Sequence, residues 1–127
     1  MQVAYLDTSC LLAVVFDEPD APVIVKRLTG FDRLVSSNLL EAELRSALAR
    51  EGVDGDVRSL LSWVDWVHPN RQLTPEFNRI LPFGYLKGAD LWHLACALFL
   101  APDPHLLTFL TLDKRQEQVA TRLGFLL

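Results

Sequence analysis

Short apolar runs alternate along the chain with longer segments whose apolar residues recur every three or four positions. Runs of the first kind predict strands, and segments of the second kind predict helices. Predicted strands cover residues 3–6, 33–36, 106–112 and 125–127, with a short strand or connection at 67–72. Predicted helices cover residues 8–16, 22–28, 38–50, 57–66, 75–81, 89–100 and 114–123.

Strands separated by helices indicate a parallel sheet that helices cover on both faces. A length of 127 residues suits one domain, residues 1–127, and a hydrophobic content of 50% is ample for one packed core. We therefore expect an α/β fold with a mainly parallel central sheet.

Charge and composition narrow the functional classes. The net charge of −4 argues against a general electrostatic binder of nucleic acid, although metal ions could mediate such contacts. The longest nearly unbroken apolar run, residues 91–101, is too short to cross a bilayer, and no signal-peptide pattern opens the chain, so we expect a cytoplasmic protein without a membrane partner. Cys10 and Cys96 lie within apolar helical patterns, where free cysteines behave as small core residues.

Two aspartates occupy the position where parallel sheets place ligands. Asp7 follows the strand "VAYL" and Asp113 follows "LLTFLTL", and each immediately precedes a predicted helix. Ligands of such sheets lie beyond the carboxyl ends of the strands. Helix capping is the competing explanation, because Asp is a favoured N-cap and Asp113 with Gln116 resembles a capping box.

A third acid lies at the edge of an apolar helix stripe. In the helix at 38–50, Glu43 lies one turn from both Leu40 and Ala47 on the buried side. Glu41 has Arg45 four residues later, a spacing that suits an ion pair on a solvated face. The periodicity therefore favours Glu43 as the inward acid.

A fourth acid, Asp90, begins the most apolar helix of the chain, "ADLWHLACALFLA". The helix dipole gives it a structural explanation, since negative charge is favoured near a helix N-terminus. His93 follows one turn later, and the pattern favours a hydrogen-bonded core residue over a ligand.

The four acids together indicate a metal site. Carboxylates that converge in one pocket repel one another, and a divalent cation removes that repulsion. Oxygen-only donors suit Mg²⁺ or Mn²⁺ better than Zn²⁺. Such an ion could activate water and stabilise charge on a phosphate, and the hydroxyls of Thr8 and Ser9 could assist.

The segments "YLDTS", "SSNLLEAELRSAL", "ADLWHLACAL" and "FLTLDKRQEQVATRLGF", in that order, resemble a PIN domain of the VapC-like toxin type. The resemblance spans nearly the whole chain, although residues 52–86 match no sharp motif of the family. It implies a three-layer α/β/α sandwich, metal-dependent endoribonuclease activity and a small antitoxin that blocks the site. The family acids would fall on Asp7, Glu43, Asp90 and Asp113, with Ser9 assisting the metal and Thr111 a weaker candidate of that kind.

On this hypothesis, Asp7, Glu43 and Asp90 hold the principal ion, and Asp113 binds a second ion or positions the water that cleaves RNA. Candidate phosphate contacts are Arg45, Arg50, Lys87, Lys114 and Arg115. The main alternative is a PIN-like module that binds RNA or protein without cutting.

Two other enzyme-like folds match less well. A phosphoacceptor receiver domain has adjacent acids after its first strand, but here Thr8 follows Asp7. A haloacid-dehalogenase-like phosphatase has a second Asp two residues after the first, where this chain has Ser9.

The middle of the chain carries more large apolar residues than a small domain easily buries. We expect part of this set to form a homodimer contact or an antitoxin groove. The set comprises Trp63, Trp66, Val67, Phe77, Ile80, Leu81, Phe83, Tyr85 and Leu86.

Overall fold

The computed structural model describes residues 1–127 and contains one parallel sheet of four strands. The strands are β1 (Val3–Leu6), β2 (Arg33–Ser37), β3 (Val64–Val67) and β4 (Thr108–Leu110), in the spatial order β3-β2-β1-β4. The order reverses at β1, which pairs with β2 on one side and β4 on the other. Residues that follow β1 and β4 are therefore neighbours at the carboxyl edge of the sheet.

Seven α-helices connect and cover the strands. They are α1 (Thr8–Val15), α2 (Ala21–Leu28), α3 (Leu39–Glu51), α4 (Val57–Leu61), α5 (Thr74–Ile80), α6 (Gly88–Leu100) and α7 (Lys114–Leu123). Short 3-10 turns at Leu81–Phe83 and Pro104–Leu106 lie between α5 and α6 and between α6 and β4, respectively. None of the helices combines the length and apolarity that crossing a membrane requires.

The alternation of side chains along each strand produces two separate cores, one on each face of the sheet. On one face, Ala4, Leu6, Leu34 and Val64 pack with residues of α1 to α4. On the other face, a second core packs against residues of α5, α6 and α7, and its strand residues are Tyr5, Val35, Val67 and Phe109. The result is the three-layer α/β/α arrangement that the sequence predicts.

The second half of one predicted helix is not helical. The helix predicted at 57–66 ends at Leu61, and Val64–Val67 forms β3 beside β2. Val64 and Val67 are buried while Asp65 is exposed, a spacing that fits both a strand end and a helix face. The Ser62 hydroxyl also donates to the Ser59 carbonyl (2.6 Å) where the helix ends.

The other differences concern boundaries. The strand predicted at 106–112 shortens to Thr108–Leu110, because Pro104–Leu106 forms a 3-10 turn. The strand predicted at 125–127 reduces to one parallel bridge between Leu126 and Thr108. Both cysteines are buried and free, as their apolar surroundings predict.

The apolar middle of the chain divides between core and surface. Val67, Ile80 and Leu86 are buried, and Trp66 and Phe77 pack partly against the cores. Four of its members are substantially exposed, namely Trp63, Leu81, Phe83 and Tyr85. Three of these four lie within the five-residue segment 81–85 that precedes α6.

Candidate active site

An open cleft of about 690 Å³ lies at the carboxyl edge of the sheet, and all four predicted acids line it. Asp7 comes from the β1–α1 junction and Asp113 from the start of α7. Glu43 projects from α3, which follows β2, and Asp90 lies in the first turn of α6. Residues from four distant segments therefore meet in one concave surface.

Asp7 is the most buried of these acids, with 6% of its surface exposed. Its Oδ2 accepts a hydrogen bond from the Ser9 backbone N–H (3.0 Å), so it caps α1. Its Oδ1 accepts a bond from Gln116 Nε2 (3.3 Å), and its own backbone N–H donates to the Leu110 carbonyl (2.9 Å). Capping and placement in the cleft are therefore both properties of this one residue.

Glu43, and not Glu41, faces the cleft. Its Oε1 accepts hydrogen bonds from the Thr8 hydroxyl (2.7 Å) and from His93 Nε2 (2.7 Å). Burial raises the pKa of Glu43, but these donors outweigh it, and the pKa falls below its ordinary value. Glu41 instead accepts a bond from Arg45 (2.7 Å) on the exposed face, as the spacing predicts.

Asp90 has the opposite electrostatic environment. Burial, followed by the negative charges of Asp7, Asp113 and Glu43, raises the pKa of Asp90 above its ordinary value. The three named carboxylates are therefore close enough to Asp90 to oppose its ionisation. This coupling is what a cluster of acids produces and what an isolated cap does not.

Asp113 caps α7 through Oδ1, which accepts from the Gln116 backbone N–H (2.8 Å). The Gln116 side chain does not return to complete a capping box. It is fully buried, and its Nε2 donates instead to Asp7 Oδ1 and to the Asp90 carbonyl (3.2 Å). Gln116 thus links three of the segments that surround the cleft.

Besides Thr8, the other two candidate hydroxyls also have protein partners. Ser9 lines the cleft, and its Oγ accepts from the Leu112 backbone N–H (3.0 Å). The Thr111 hydroxyl donates to Gln116 Oε1 (2.6 Å) and accepts from the Asp113 N–H (3.0 Å). The role of either hydroxyl at a metal ion stays a prediction.

The donors of the cleft suit a hard divalent cation, since they are carboxylate and hydroxyl oxygens. They are not drawn into a ready-made ligand set, because no three Asp, Glu, His or Cys side chains are arranged to hold an ion together. Asp7, Glu43 and Asp113 are each held by the hydrogen bonds described above. Holding one ion with three of these acids therefore requires movement within the cleft, and the repulsion that the other carboxylates exert on Asp90 favours movement of that residue.

Of the five cationic candidates, Arg50 and Lys87 line the cleft. The other three do not. Arg45 pairs with Glu41, and Arg115 lies over the Tyr85 ring at 5.8 Å from its centroid.

Sequence reasoning missed the residues that hold the acids in place. The sequence pattern predicts Gln116 only as part of a capping box, Tyr5 only as part of a strand, and His93 as a hydrogen-bonded core residue whose partner it does not specify. A polar residue on an otherwise apolar face was the available signal, because such a residue needs a hydrogen-bond partner when buried.

Comparisons with known proteins show which family the chain is similar to. The model of the PIN domain family matches residues 4–122. The chain is also similar to a protein of Mycobacterium tuberculosis (strain ATCC 25618 / H37Rv) named Ribonuclease VapC46. The two are 30% identical over 126 residues, which cover 98% of this chain and 95% of the relative.

Replacing Asp90 tests the electrostatic coupling without any substrate. A carboxyl whose folded-state pKa is raised contributes stability below its ordinary pKa of 3.8, and that stability is lost as the pH rises through the folded-state value. At pH 7 the ionised group therefore opposes folding. We expect Asp90→Asn, without divalent ions, to be as stable as the wild type or more stable by up to about 1 kcal/mol, with solvent screening setting the limit.

Denaturant unfolding in EDTA at pH 4 and pH 7 measures this effect, and the gain should be larger at pH 7. Mn²⁺ should raise the melting temperature of the wild type more than that of the variant. Asp56→Asn is the control, because Asp56 caps α4 through the Ser59 N–H (3.2 Å) and does not line the cleft. A loss of stability in Asp90→Asn with an unchanged response to Mn²⁺ would show that Asp90 is only a helix-terminal charge.

Proposed function

The chain belongs to the PIN domain family, and from that premise we propose that it is a metal-dependent endoribonuclease, the toxin of a toxin–antitoxin pair. The observation that carries the proposal is the convergence of Asp7, Glu43, Asp90 and Asp113 on one open cleft. The name of the similar ribonuclease gives the substrate class. The acidic, oxygen-rich lining supports the proposed requirement for a cation.

We assign the principal ion to Asp7, Glu43 and Asp90, and Asp113 to a second ion or to the attacking water, with Ser9 assisting. The donor set suits Mg²⁺ or Mn²⁺. When bound, such an ion lowers the pKa of a coordinated water and offsets charge that develops on the phosphate. The chain's own part is orientation: Gln116 and Ser9 hold Asp7, while Thr8 and His93 hold Glu43.

Arg50 and Lys87 are the cations that we assign to the RNA backbone. They line the same cleft as the four acids, so a phosphate at the metal would have neighbouring phosphates within their reach. Cationic side chains there also offset the negative charge that the acids present to an anionic substrate. Neither residue would carry sequence specificity, because phosphate contacts do not distinguish bases.

For partners, we propose a small antitoxin and a second copy of the chain. The support is the exposed apolar surface formed by Leu81, Phe83 and Tyr85, of whose surfaces 45%, 40% and 68% are exposed. Backbone carbonyls of this segment accept bonds from Arg122 and Arg115 of α7 (3.0 and 3.3 Å), which hold it beside the helix that Asp113 begins. An apolar surface next to an acidic cleft suits a partner that covers both.

RNA cleavage with and without metal is the first test. Purified protein should cut a mixture of single-stranded and hairpin RNAs with Mg²⁺ or Mn²⁺ and stop in EDTA. Asp7→Asn, Glu43→Gln and Asp90→Asn should each reduce the rate by roughly 100-fold or more, because each removes a proposed metal ligand.

Glu41→Gln is the matched control, since it removes an acid from the exposed face of the same helix. It should leave the rate unchanged. Cleavage that persists in EDTA would contradict the metal requirement. Binding of RNA without any cleavage would favour the non-catalytic PIN-like module instead.

Substitution of the two cations tests the phosphate contacts. We expect Arg50→Ala and Lys87→Ala each to weaken RNA binding several-fold and to lower the slope of log affinity against log salt by about 0.7, the value for one single-strand phosphate contact. Fluorescence anisotropy with the Asp90→Asn variant measures binding without cleavage. Arg45→Ala, outside the cleft, should change neither quantity, and an equal effect of all three substitutions would assign the loss to overall charge.

The oligomeric state and co-purification test the partner surface. At micromolar concentration the wild type should run as a dimer in light scattering, and a small protein should co-purify from the native host. Phe83→Asp should weaken these associations, since it buries a charge in the contact. Val23→Asp is the control, because Val23 is an exposed apolar residue of α2 outside this surface. A wild-type monomer without a small partner would contradict the proposal.

A further inference from the structure

A buried chain of hydrogen bonds lies behind Glu43. His93 Nε2 lies 2.7 Å from Glu43 Oε1, and His93 Nδ1 lies 2.8 Å from the Tyr5 hydroxyl. Both His93 and Tyr5 are fully buried, with no exposed surface. His93 therefore links the hydrophobic core on the α6 face of the sheet to the cleft.

We assign the proton positions from the hydrogen-bond partners. The Ser37 backbone N–H donates to the Tyr5 oxygen (3.1 Å), so the Tyr5 hydroxyl proton is directed to His93 Nδ1. Because Nδ1 accepts, Nε2 carries the ring proton and donates it to the Glu43 carboxylate. Every polar atom in this chain then has a matched partner, which is consistent with the absence of unpaired buried side-chain polar atoms in the protein.

The same geometry makes the two oxygens of Glu43 unequal. The bonds from His93 and Thr8 both end on Oε1. The Glu43 side chain retains 32% exposure and lines the cleft, so its other oxygen has access to solvent and to an ion. Rotation about the last side-chain bond would exchange the oxygens, and two donors on one oxygen resist that rotation.

We propose that His93, oriented by Tyr5, is a positioning residue that fixes Oε1 of Glu43 and leaves Oε2 for a divalent cation. The inference rests on the proposed function, because it assigns one atom of the proposed metal site. A histidine that served only to fill the core would not need a contact with a half-exposed carboxylate. Outer hydrogen bonds of this kind orient metal ligands and raise metal affinity.

Two substitutions of His93 separate positioning from packing. In His93→Gln, the amide nitrogen can occupy the place of Nε2 and donate to Glu43. In His93→Asn, the shorter side chain places its amide near Nδ1, where it reaches Tyr5 but not Glu43. Both variants bury one amide at the same position, so each controls for the loss of the ring in the other.

Mn²⁺ affinity by calorimetry is the main readout, with thermal unfolding in EDTA as the check on folding. We expect His93→Asn to weaken Mn²⁺ binding by about 10-fold or more and His93→Gln to stay within about threefold of the wild type. Equal losses in the two variants, or no loss in either, would overturn the proposal. RNA cleavage should follow the same order.

Tyr5→Phe provides a second route if both His93 variants unfold. It keeps the ring that stacks on Phe109 at 5.5 Å and removes the hydroxyl, which orients His93 and also accepts from the Ser37 backbone N–H. Tyr85→Phe is the matched control at the other tyrosine, which is exposed. Tyr5→Phe should weaken Mn²⁺ binding measurably and Tyr85→Phe should not, and identical affinities would overturn the role of Tyr5.

Nitrogen NMR of histidine-labelled wild-type protein reads the proton positions directly. His68 and His105 are exposed, so the buried His93 is distinguishable by its slow exchange. The expected signature is a protonated Nε2 and an unprotonated Nδ1, and an unprotonated Nε2 would overturn the proposal.

These readouts separate failure of the inference from failure of the proposed function. Wild type that binds Mn²⁺ and cuts RNA while the His93 variants behave alike would overturn only the positioning role. Wild type that binds Mn²⁺ with the expected order of variants but leaves RNA intact would overturn only the nuclease function. Wild type that binds no Mn²⁺ would overturn both.

Discussion

Carboxylates that share one cleft repel each other, and the protein must hold them together with contacts made elsewhere. Burial is the largest cause of the raised pKa of Asp90, and the charges of Asp7, Asp113 and Glu43 raise it further, which reflects that repulsion. The acids come from segments far apart in the chain, so no local sequence holds them. The topology does so, because the parallel order brings the carboxyl ends of β1 and β4 side by side.

Polar side chains that donate hydrogen bonds do most of the holding. Gln116 joins the start of α7 to Asp7 and to the first turn of α6, and Thr111 fixes Gln116 in turn. On the other side of the cleft, His93 and Thr8 join α6 and α1 to Glu43. These donors stabilise the ionised carboxylates, and ionised carboxylates attract cations.

The sequence predicts the acids better than it predicts their supports. Asp7 and Asp113 are recognisable because the apolar pattern shows where the strands end. Glu43 is recognisable because helical periodicity places it beside the buried side of its helix. Gln116 and His93 form bonds to residues 109 and 50 positions away, and nothing in a local pattern specifies such pairs. The strand β3 was missed for a related reason, since its identity depends on pairing with β2 and its valine spacing also fits a helix.

Glu43 and Asp90 line one cleft with opposite pKa shifts, and the difference lies in their neighbours. Hydrogen bonds from Thr8 and His93 stabilise the ionised form of Glu43 and lower its pKa. No hydrogen bond offsets the effects that raise the pKa of Asp90. The Asp90 carboxylate accepts no hydrogen bond from the protein, so it breaks none if it turns towards a cation. Glu43 accepts two such bonds, which any rotation of its carboxylate would strain or break. On the proposed function, a bound ion would therefore relieve at Asp90 a repulsion that destabilises the metal-free protein. The stability of the metal-free fold and the affinity for that ion would then oppose each other at this side chain.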